Sequence, residues 1–295
     1  MIVKKVFFKK FFDFYTIDEY LDFADKSQSV NLILGFDDFS LLDEVGPIDK
    51  LIITSGDAST AHYDALYRHS EIKGLTLDYY EDESFSPWTV DLSFFPDLRI
   101  LDSNSSLNFC NIMCEKKLRG LFVKEWHEAT LDKIFGCALE SLILCSGVDR
   151  IDGYENDNLH IFSLSYSSIN KIQYLSSFSN LEILEIDHCP RIKDWSEFYS
   201  SSLKILLMLG NNRIESINFI NNLPNLKSLV FEGTIGNGDI KSLKRLERCA
   251  LTPHKRFYNV SQKELAYPQN YKTSLSVSDD VNWFSHWSDP KGADC

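Results

Sequence analysis

The chain has 295 residues, of which 44% are hydrophobic and 25% charged, a composition typical of a globular protein rather than a disordered one. Its 30 Lys and Arg residues stand against 43 Asp and Glu residues, which gives a formal net charge of −13. This charge has the wrong sign for a protein that neutralises nucleic acid phosphates, and it favours a basic protein partner. No window reaches the ~18 uninterrupted apolar residues that a membrane span needs, so we predict no membrane partner.

The N-terminal segment and the cysteines both bear on the compartment. MIVKKVFFKKFF resembles a signal peptide, but Lys9 and Lys10 split its apolar run and no small-residue cleavage site follows, so we interpret it as mature sequence. Seven cysteines are an odd number in a long chain, which favours reduced thiols. We therefore predict a cytoplasmic location and no disulfide.

The first predicted element is a short helix. Residues 16–19, Thr-Ile-Asp-Glu, have the Ser/Thr-x-x-Glu form of a capping box, and Tyr20, Leu21 and Phe23 follow. This pattern predicts a short amphipathic helix inside an N-terminal cap that covers residues 1–29.

A hexad of the form apolar-x-x-apolar-x-apolar then recurs, after a degenerate first copy at residues 30–34. The fourth positions run from Leu51 to Cys249 in nine steps, a mean spacing of 22 residues. Ten copies at such constant spacing indicate a repeat architecture. The copies are Ile48/Leu51/Ile53, Ile72/Leu75/Leu77, Phe95/Leu98/Ile100, Leu118/Leu121/Val123, Leu139/Leu142/Leu144, Leu159/Phe162/Leu164, Leu181/Leu184/Ile186, Leu203/Leu206/Met208, Leu226/Leu229/Phe231 and Leu246/Cys249/Leu251.

The repeat resembles that of the leucine-rich repeat family, whose unit L-x-x-L-x-L-x-x-N/C-x-L has a period of about 20–29 residues. The best copies are LEILEIDHCPRI from Leu181 and LKILLMLGNNRI from Leu203, in which Cys189 and Asn211 occupy the N/C position. The copies look like the irregular bacterial type. Other copies carry different residues at that position: Ser103, Gly147, Ser167 and Thr234.

The resemblance implies an α/β solenoid, a curved domain with a parallel β-sheet on its concave face and short helical or irregular segments on its convex face. A period near 22 residues leaves no room for long helices, although the longer early copies permit one over residues 61–69. We predict ten to eleven repeats over residues 30–252, followed by a C-terminal cap and polar tail over 253–295. In that cap, Ser-Gln-Lys-Glu at 261–264 is a second capping box.

Two groups of residues resemble reactive or metal sites. Cys110 and Cys114 are spaced like one of the two ligand pairs of a zinc site. No histidine or second cysteine pair accompanies them, so we predict core packing and no metal. Asp187, His188 and Cys189 have the residue types of a catalytic triad, yet Cys189 falls where the family buries a residue. No phosphate loop or hydrolase elbow is present, so we predict no cofactor and no enzyme.

The concave face supplies the candidate binding site. Residues at the third, fifth, seventh and eighth positions of each copy project away from the leucines, because side chains alternate along a strand. The later copies place aliphatic residues there, which we predict to be exposed and to form an apolar patch with a binding role. They are Ile143, Ile161, Ile183, Ile205, Leu207, Leu209 and Val230.

Aromatic and acidic residues surround that patch and complete the predicted partner-binding surface. They are Asp78, Tyr79, Asp102, Phe122, Glu125, Trp126, Tyr166, Glu185, Asp187, His188 and Glu232. An alternative is that the termini or a second copy of the chain cover this face. Six basic side chains between Lys241 and Arg256 could touch nucleic acid, but a solvated face or a protein contact suits the acidic chain better.

The sequence therefore predicts a non-catalytic module that binds another protein through its concave face. Small, stand-alone leucine-rich repeat chains of this kind include bacterial immunity proteins that block a toxin, and an acidic surface suits capture of a basic toxin. A host-directed effector or adaptor is a second hypothesis. A cysteine hydrolase that uses Cys189 and His188 is a third.

Overall fold

The computed structural model describes residues 30–35, 42, 48–55, 63–77, 89–112, 117–127, 131–134 and 136–266. The chain divides into two compact units, Met1–Gly147 (unit 1) and Val148–Cys295 (unit 2). No helix among the described residues has both the length and the hydropathy required to cross a membrane.

Unit 1 is built on parallel strands that hydrogen-bond in the order β1-β2-β3-β5-β7-β8, while β4 and β6 form a separate parallel pair. A short helix, α1 (Tyr63–Tyr67), lies between β2 and β3. Three 3-10 turns follow, over Leu92–Phe94, Ser106–Asn108 and Asp132–Ile134. The strands are β1 (Val30–Gly35), β2 (Ile48–Ser55), β3 (Gly74–Leu77), β4 (Val90–Asp91), β5 (Ile100–Ser105), β6 (Phe109–Cys110), β7 (Gly120–Glu125) and β8 (Ser141–Leu144).

Unit 2 has the same plan, with each parallel strand paired to the next one along the chain. Its strands are β9 (Ile161–Ser165), β10 (Ile183–Asp187), β11 (Ile205–Ile214), β12 (Ser228–Ile235) and β13 (Arg248–Thr252). Single 3-10 turns return the chain between most of these strands. They cover Gln173–Ser177, Asn218–Asn222 and Lys241–Arg245, and another turn, Gln262–Glu264, follows β13.

The hexad leucines explain why these strands stack. Leu184, Leu206 and Leu229 stand in register on adjacent strands, and each is almost completely buried. One such strand cannot bury its apolar side chains alone, whereas a stack of strands removes them from water at about 25 cal/mol per Å². The predicted parallel α/β solenoid is confirmed by this pairing and by the short turns between strands.

The third hexad of the sequence analysis is wrong by three residues. Leu101, not Leu98, pairs with Leu75 on β3 and with Leu121 on β7. The hexad three residues earlier, Phe95/Leu98/Ile100, fits the apolar pattern, whereas the one in the structure, Leu98/Leu101/Ser103, does not, because its sixth residue is polar. In the structure Ser103 takes the sixth, inward-facing position, where it is fully buried, and not the N/C position.

The N/C position of the copy that starts at Leu203 is also displaced. The side-chain amide of Asn212 donates to the carbonyl oxygens of Leu209, at 2.8 Å, and of Glu232 on the next strand, at 3.1 Å. Strand β11 has a register shift here, with four steps from Met208 to Asn212 against two from Phe231 to Gly233 on β12. Asn212, and not Asn211, therefore makes the bonds that join this copy to the next.

The predicted helix and caps have different outcomes. α1 lies within the predicted range 61–69, and the second capping box is present, since Glu264 accepts from the backbone N–H of Ser261 at 2.9 Å. The first capping box and the polar tail lie outside the described residues. The domain boundaries 1–29, 30–252 and 253–295 stay predictions.

The predicted absence of disulfides is wrong. Cys137 is disulfide-bonded, and its partner is outside the described residues. An odd number of cysteines requires one unpaired thiol but does not prevent another two from pairing, which is where the inference failed. Cys110, Cys189 and Cys249 are reduced, and the last two are buried.

Candidate functional site

We call the face of the strands opposite the leucines the open face. The predicted patch of exposed aliphatic residues is not present there. Only Ile161 is partly exposed; the other members are buried. Strand alternation decides which face a side chain occupies, but it does not decide whether that face meets solvent. The buried members are Ile143, Ile183, Ile205, Leu207, Leu209 and Val230, with exposures between 1% and 8%.

The predicted site residues of unit 1 do not form an accessible surface as a group. Asp102 and Trp126 are buried, Phe122 is half-buried and Glu125 is exposed, with its Oε2 3.6 Å from Nε2 of His127. Asp78 and Tyr79 lie outside the described residues.

Unit 2 brings four of the predicted residues together where the strands end. Tyr166 follows β9, Asp187 ends β10, His188 comes next, and Glu232 lies in β12. We call these four residues the rim cluster. Tyr166 and His188 are exposed and the two carboxylates half-buried, so the rim cluster is the accessible part of the predicted surface.

The backbone explains why these side chains turn outward. Tyr166 and His188 have φ values of +51° and +47°, and Gly210, at the same position of the next copy, has +79°. Tyr166 and His188 each follow the end of a strand: Tyr166 N–H donates to the Asp187 carbonyl at 2.9 Å, and His188 N–H to the Leu209 carbonyl at 3.3 Å. Non-glycine residues adopt this conformation at a cost, and such strain is concentrated at functional sites.

Tyr166, His188 and Asp187 form a continuous set of contacts. The rings of Tyr166 and His188 stack with centroids 4.8 Å apart and planes at 13°. Nδ1 of His188 lies 2.6 Å from Oδ1 of Asp187. The histidine is thus held on one side by the tyrosine ring and at one nitrogen by the carboxylate, so the aromatic surface is preformed.

Glu232 joins the cluster through the backbone of β11. Its Oε2 accepts from the N–H of Gly210 at 3.3 Å, which draws the carboxylate from β12 towards β10. A Cβ on Gly210 would lie 2.7 Å from the backbone nitrogen of His188. Glycine is therefore required there by both conformation and space, and its alignment with Tyr166 and His188 in the repeat is the sequence signal that identifies it.

Burial disfavours the charged forms of Asp187 and Glu185. Burial raises the pKa of Asp187, and the charge of Glu232 raises it further, whereas His188 lowers it. Burial raises the pKa of Glu185 to about 8, opposed by a hydrogen bond from Ser163 Oγ at 2.9 Å. Glu185 was expected beside the exposed surface, but it is 2% exposed, so that assignment is wrong.

Cys189 lacks the properties of a nucleophile. Its side chain is 1% exposed, burial raises its pKa to about 12, and its thiol donates to the Asp187 carbonyl at 3.2 Å. A nucleophilic cysteine needs an accessible thiolate. His188, the base of the hydrolase hypothesis, contacts Asp187 instead.

Other candidate residues have structural roles. Arg245 donates to the carbonyls of Ile220 and Leu223 at 2.5 and 2.9 Å, and Lys244 pairs with Glu264 at 2.9 Å, so part of the basic segment caps neighbouring turns. His69 is buried, and its Nε2 lies 3.0 Å from the Leu42 carbonyl oxygen. Asp64, on α1, is exposed. Within the described ranges no three His, Cys, Asp or Glu side chains are grouped to hold a metal.

Comparisons with known proteins give similarities in structure but none in sequence. No family model and no curated protein matches the sequence. A solved structure of an internalin (inlF) from Listeria monocytogenes is similar at a TM-score of 0.44 and 16% identity, covering 75% of this chain and 73% of that chain.

Proposed function

We propose that this chain is a non-catalytic module that binds a basic partner protein through the rim cluster. The observation that carries the proposal is the Tyr166–His188 stack, which leaves Tyr166 47% exposed beside two partly accessible carboxylates. Large exposed aromatic side chains held in fixed positions are typical of the residues that dominate interface energies.

Charge supports a basic partner. Asp187 and Glu232 stand next to the aromatic pair, and the whole chain carries −13. Complementary charge accelerates encounter between proteins and disfavours acidic competitors. A preformed surface also lowers the conformational cost of association.

More specifically, we propose a bacterial immunity protein whose partner is a basic toxin. The acidic, rigid rim cluster is suited to rapid capture of such a toxin. A host-directed effector or adaptor would use the same surface with a different partner, and identification of the captured protein separates the two.

The test uses the full-length chain as bait in an extract of the cells that produce it, with Tyr166→Ala and Tyr199→Ala as matched variants. Tyr199 is also exposed but stands outside the rim cluster. We expect calorimetry with the captured protein to show a loss of about thirtyfold for Tyr166→Ala, or about 2 kcal/mol, and almost none for Tyr199→Ala.

Equal binding by native chain and Tyr166→Ala would overturn the rim cluster as the interface. For the immunity hypothesis, the captured protein should be toxic when expressed alone, and co-expression of the chain should restore growth. A captured protein that is harmless to the producing cells contradicts that hypothesis.

A further inference from the structure

The open face next to the rim cluster contains a buried hydroxyl with no hydrogen-bond partner. Ser165 Oγ is inaccessible to solvent, and no described residue donates to it or accepts from it. A buried polar atom left in this state is destabilising, so its presence calls for a functional explanation.

Ser165 is directed towards the acidic part of the cluster. It is the register partner of Asp187 on the neighbouring strand, and register partners in parallel strands project from the same face about 4.8 Å apart. Glu232 approaches from the other side, since its carboxylate is bonded to Gly210 on the strand between.

The carboxylates here repel one another. The negative charge of Glu232 acts on Asp187, and that of Asp187 acts on Glu185. Among the described residues, the one ion pair that these three side chains make is Asp187 with His188, and it is ionic only when the imidazole is protonated. Asp187 and Glu232 thus have no Lys or Arg partner among the described residues and lie beside an unused hydroxyl.

We propose that the rim cluster accepts the guanidinium group of an arginine side chain presented by the partner and that its entry opens Ser165 Oγ to one of its N–H groups, an inference that rests on the proposed function. Guanidinium is planar and offers five N–H donors in fixed directions, so it can reach Asp187, Glu232 and Ser165 at once. A lysine ammonium is a compact point charge that suits separated acceptors less well.

The experiment titrates the full-length, ¹⁵N-labelled chain with Nα-acetyl-arginine N-methylamide and follows backbone amide resonances. We expect shifts centred on Ser165 and Gly210, and binding at least about tenfold weaker for the lysine analogue. The citrulline analogue has the shape of arginine without its charge and should produce no shifts. Equal shifts with citrulline or lysine would overturn the arginine site.

Variants locate the binding. Asp187→Asn should abolish the shifts, whereas Glu197→Gln, an exposed change of equal charge in the same unit, should not affect them. Ser165→Ala should weaken arginine binding about fivefold or more while leaving the melting temperature equal or higher, because it removes an unsatisfied hydroxyl. A Ser165→Ala variant that melts earlier and binds arginine fully shows a structural serine and overturns the inference.

The two proposals fail separately. Arginine binding at Ser165 without capture of any protein would overturn the proposed function and leave the site standing. Capture that depends on Tyr166, together with no response to the arginine analogue, would overturn the site alone.

Discussion

Both faces of strand β11 are buried at its centre, but by different kinds of neighbour. Leu206 lies between Leu184 and Leu229, whereas Leu207, on the open face, lies between Glu185 and Val230. Their exposures are 0% and 1%. The comparison teaches that a repeat pattern in the sequence identifies the face on which similar residues stack. It does not reveal that the opposite face is buried, because the polar and apolar residues of that face follow no period in the sequence.

The largest effect that would test this comparison is on stability. Leu206→Ala should lower the free energy of unfolding by about 2–5 kcal/mol, and Leu207→Ala should fall in the same range, since both remove fully buried methyl groups. Urea unfolding measures both. The exposed Lys204→Ala is the control, with an expected change within about 0.5 kcal/mol.

A small effect of Leu207→Ala beside a large one of Leu206→Ala would show that the open face meets solvent. In that case the apolar patch expected from the sequence would again be a candidate binding surface.

The second test uses the carboxyl group of Glu185, which is buried on the open face. Burial raises the pKa of Glu185 from 4.5 to about 8, so the folded state binds this proton more tightly than the unfolded state. The stability that this proton contributes is fully present below about pH 4.5 and is lost as the pH rises through about 8. Glu185→Gln should therefore be more stable than the native chain at about pH 9, by a few kcal/mol, and similar at about pH 5.

Urea unfolding at the two pH values checks this prediction, with the exposed Glu197→Gln as the charge-matched control. If the difference between Glu185→Gln and the native chain does not change with pH, the carboxyl is hydrated, and the open face is not closed over it.

The smallest effect concerns two left-handed glycines. Gly210→Ala should cost more than Gly153→Ala, although their φ values are similar, at +79° and +83°. A Cβ at Gly153 meets open space, so that variant carries only the conformational cost of about 1–2 kcal/mol. At Gly210 the Cβ would contact His188, and thermal unfolding should show an additional loss. Equal losses would mean that the backbone of β11 at Gly210 can move away from His188.

The leucine face could be predicted from the sequence because one residue type recurs at constant spacing. The register of the third copy could not, since Ser103 breaks the apolar pattern of the true copy while the hexad three residues earlier fits it. The shift from Asn211 to Asn212 has another origin, because an irregularity in β11 changes the spacing locally without changing composition.

The four residues of the rim cluster could be predicted from the sequence, but the exclusion of their neighbour Glu185 could not. Tyr166, Asp187, His188 and Glu232 follow from strand alternation and from their place after the leucines. Glu185 belongs to the same pattern, but its burial depends on what lies over the strand, which alternation does not encode. Ser165 gave no signal, since a lone serine in a strand acquires interest only once its neighbours and hydrogen bonds are known.

The last strand has a consequence for self-association. An outermost strand exposes backbone groups that can template pairing with another molecule, and β13 is the last in unit 2. There the N–H of Cys249 donates to the Ala266 carbonyl at 3.0 Å, so the chain fills part of its own edge. This hydrogen bond leaves one backbone donor fewer on β13 for pairing with a second molecule, and so disfavours end-to-end association. The effect depends on the backbone of Ala266 and not on its side chain.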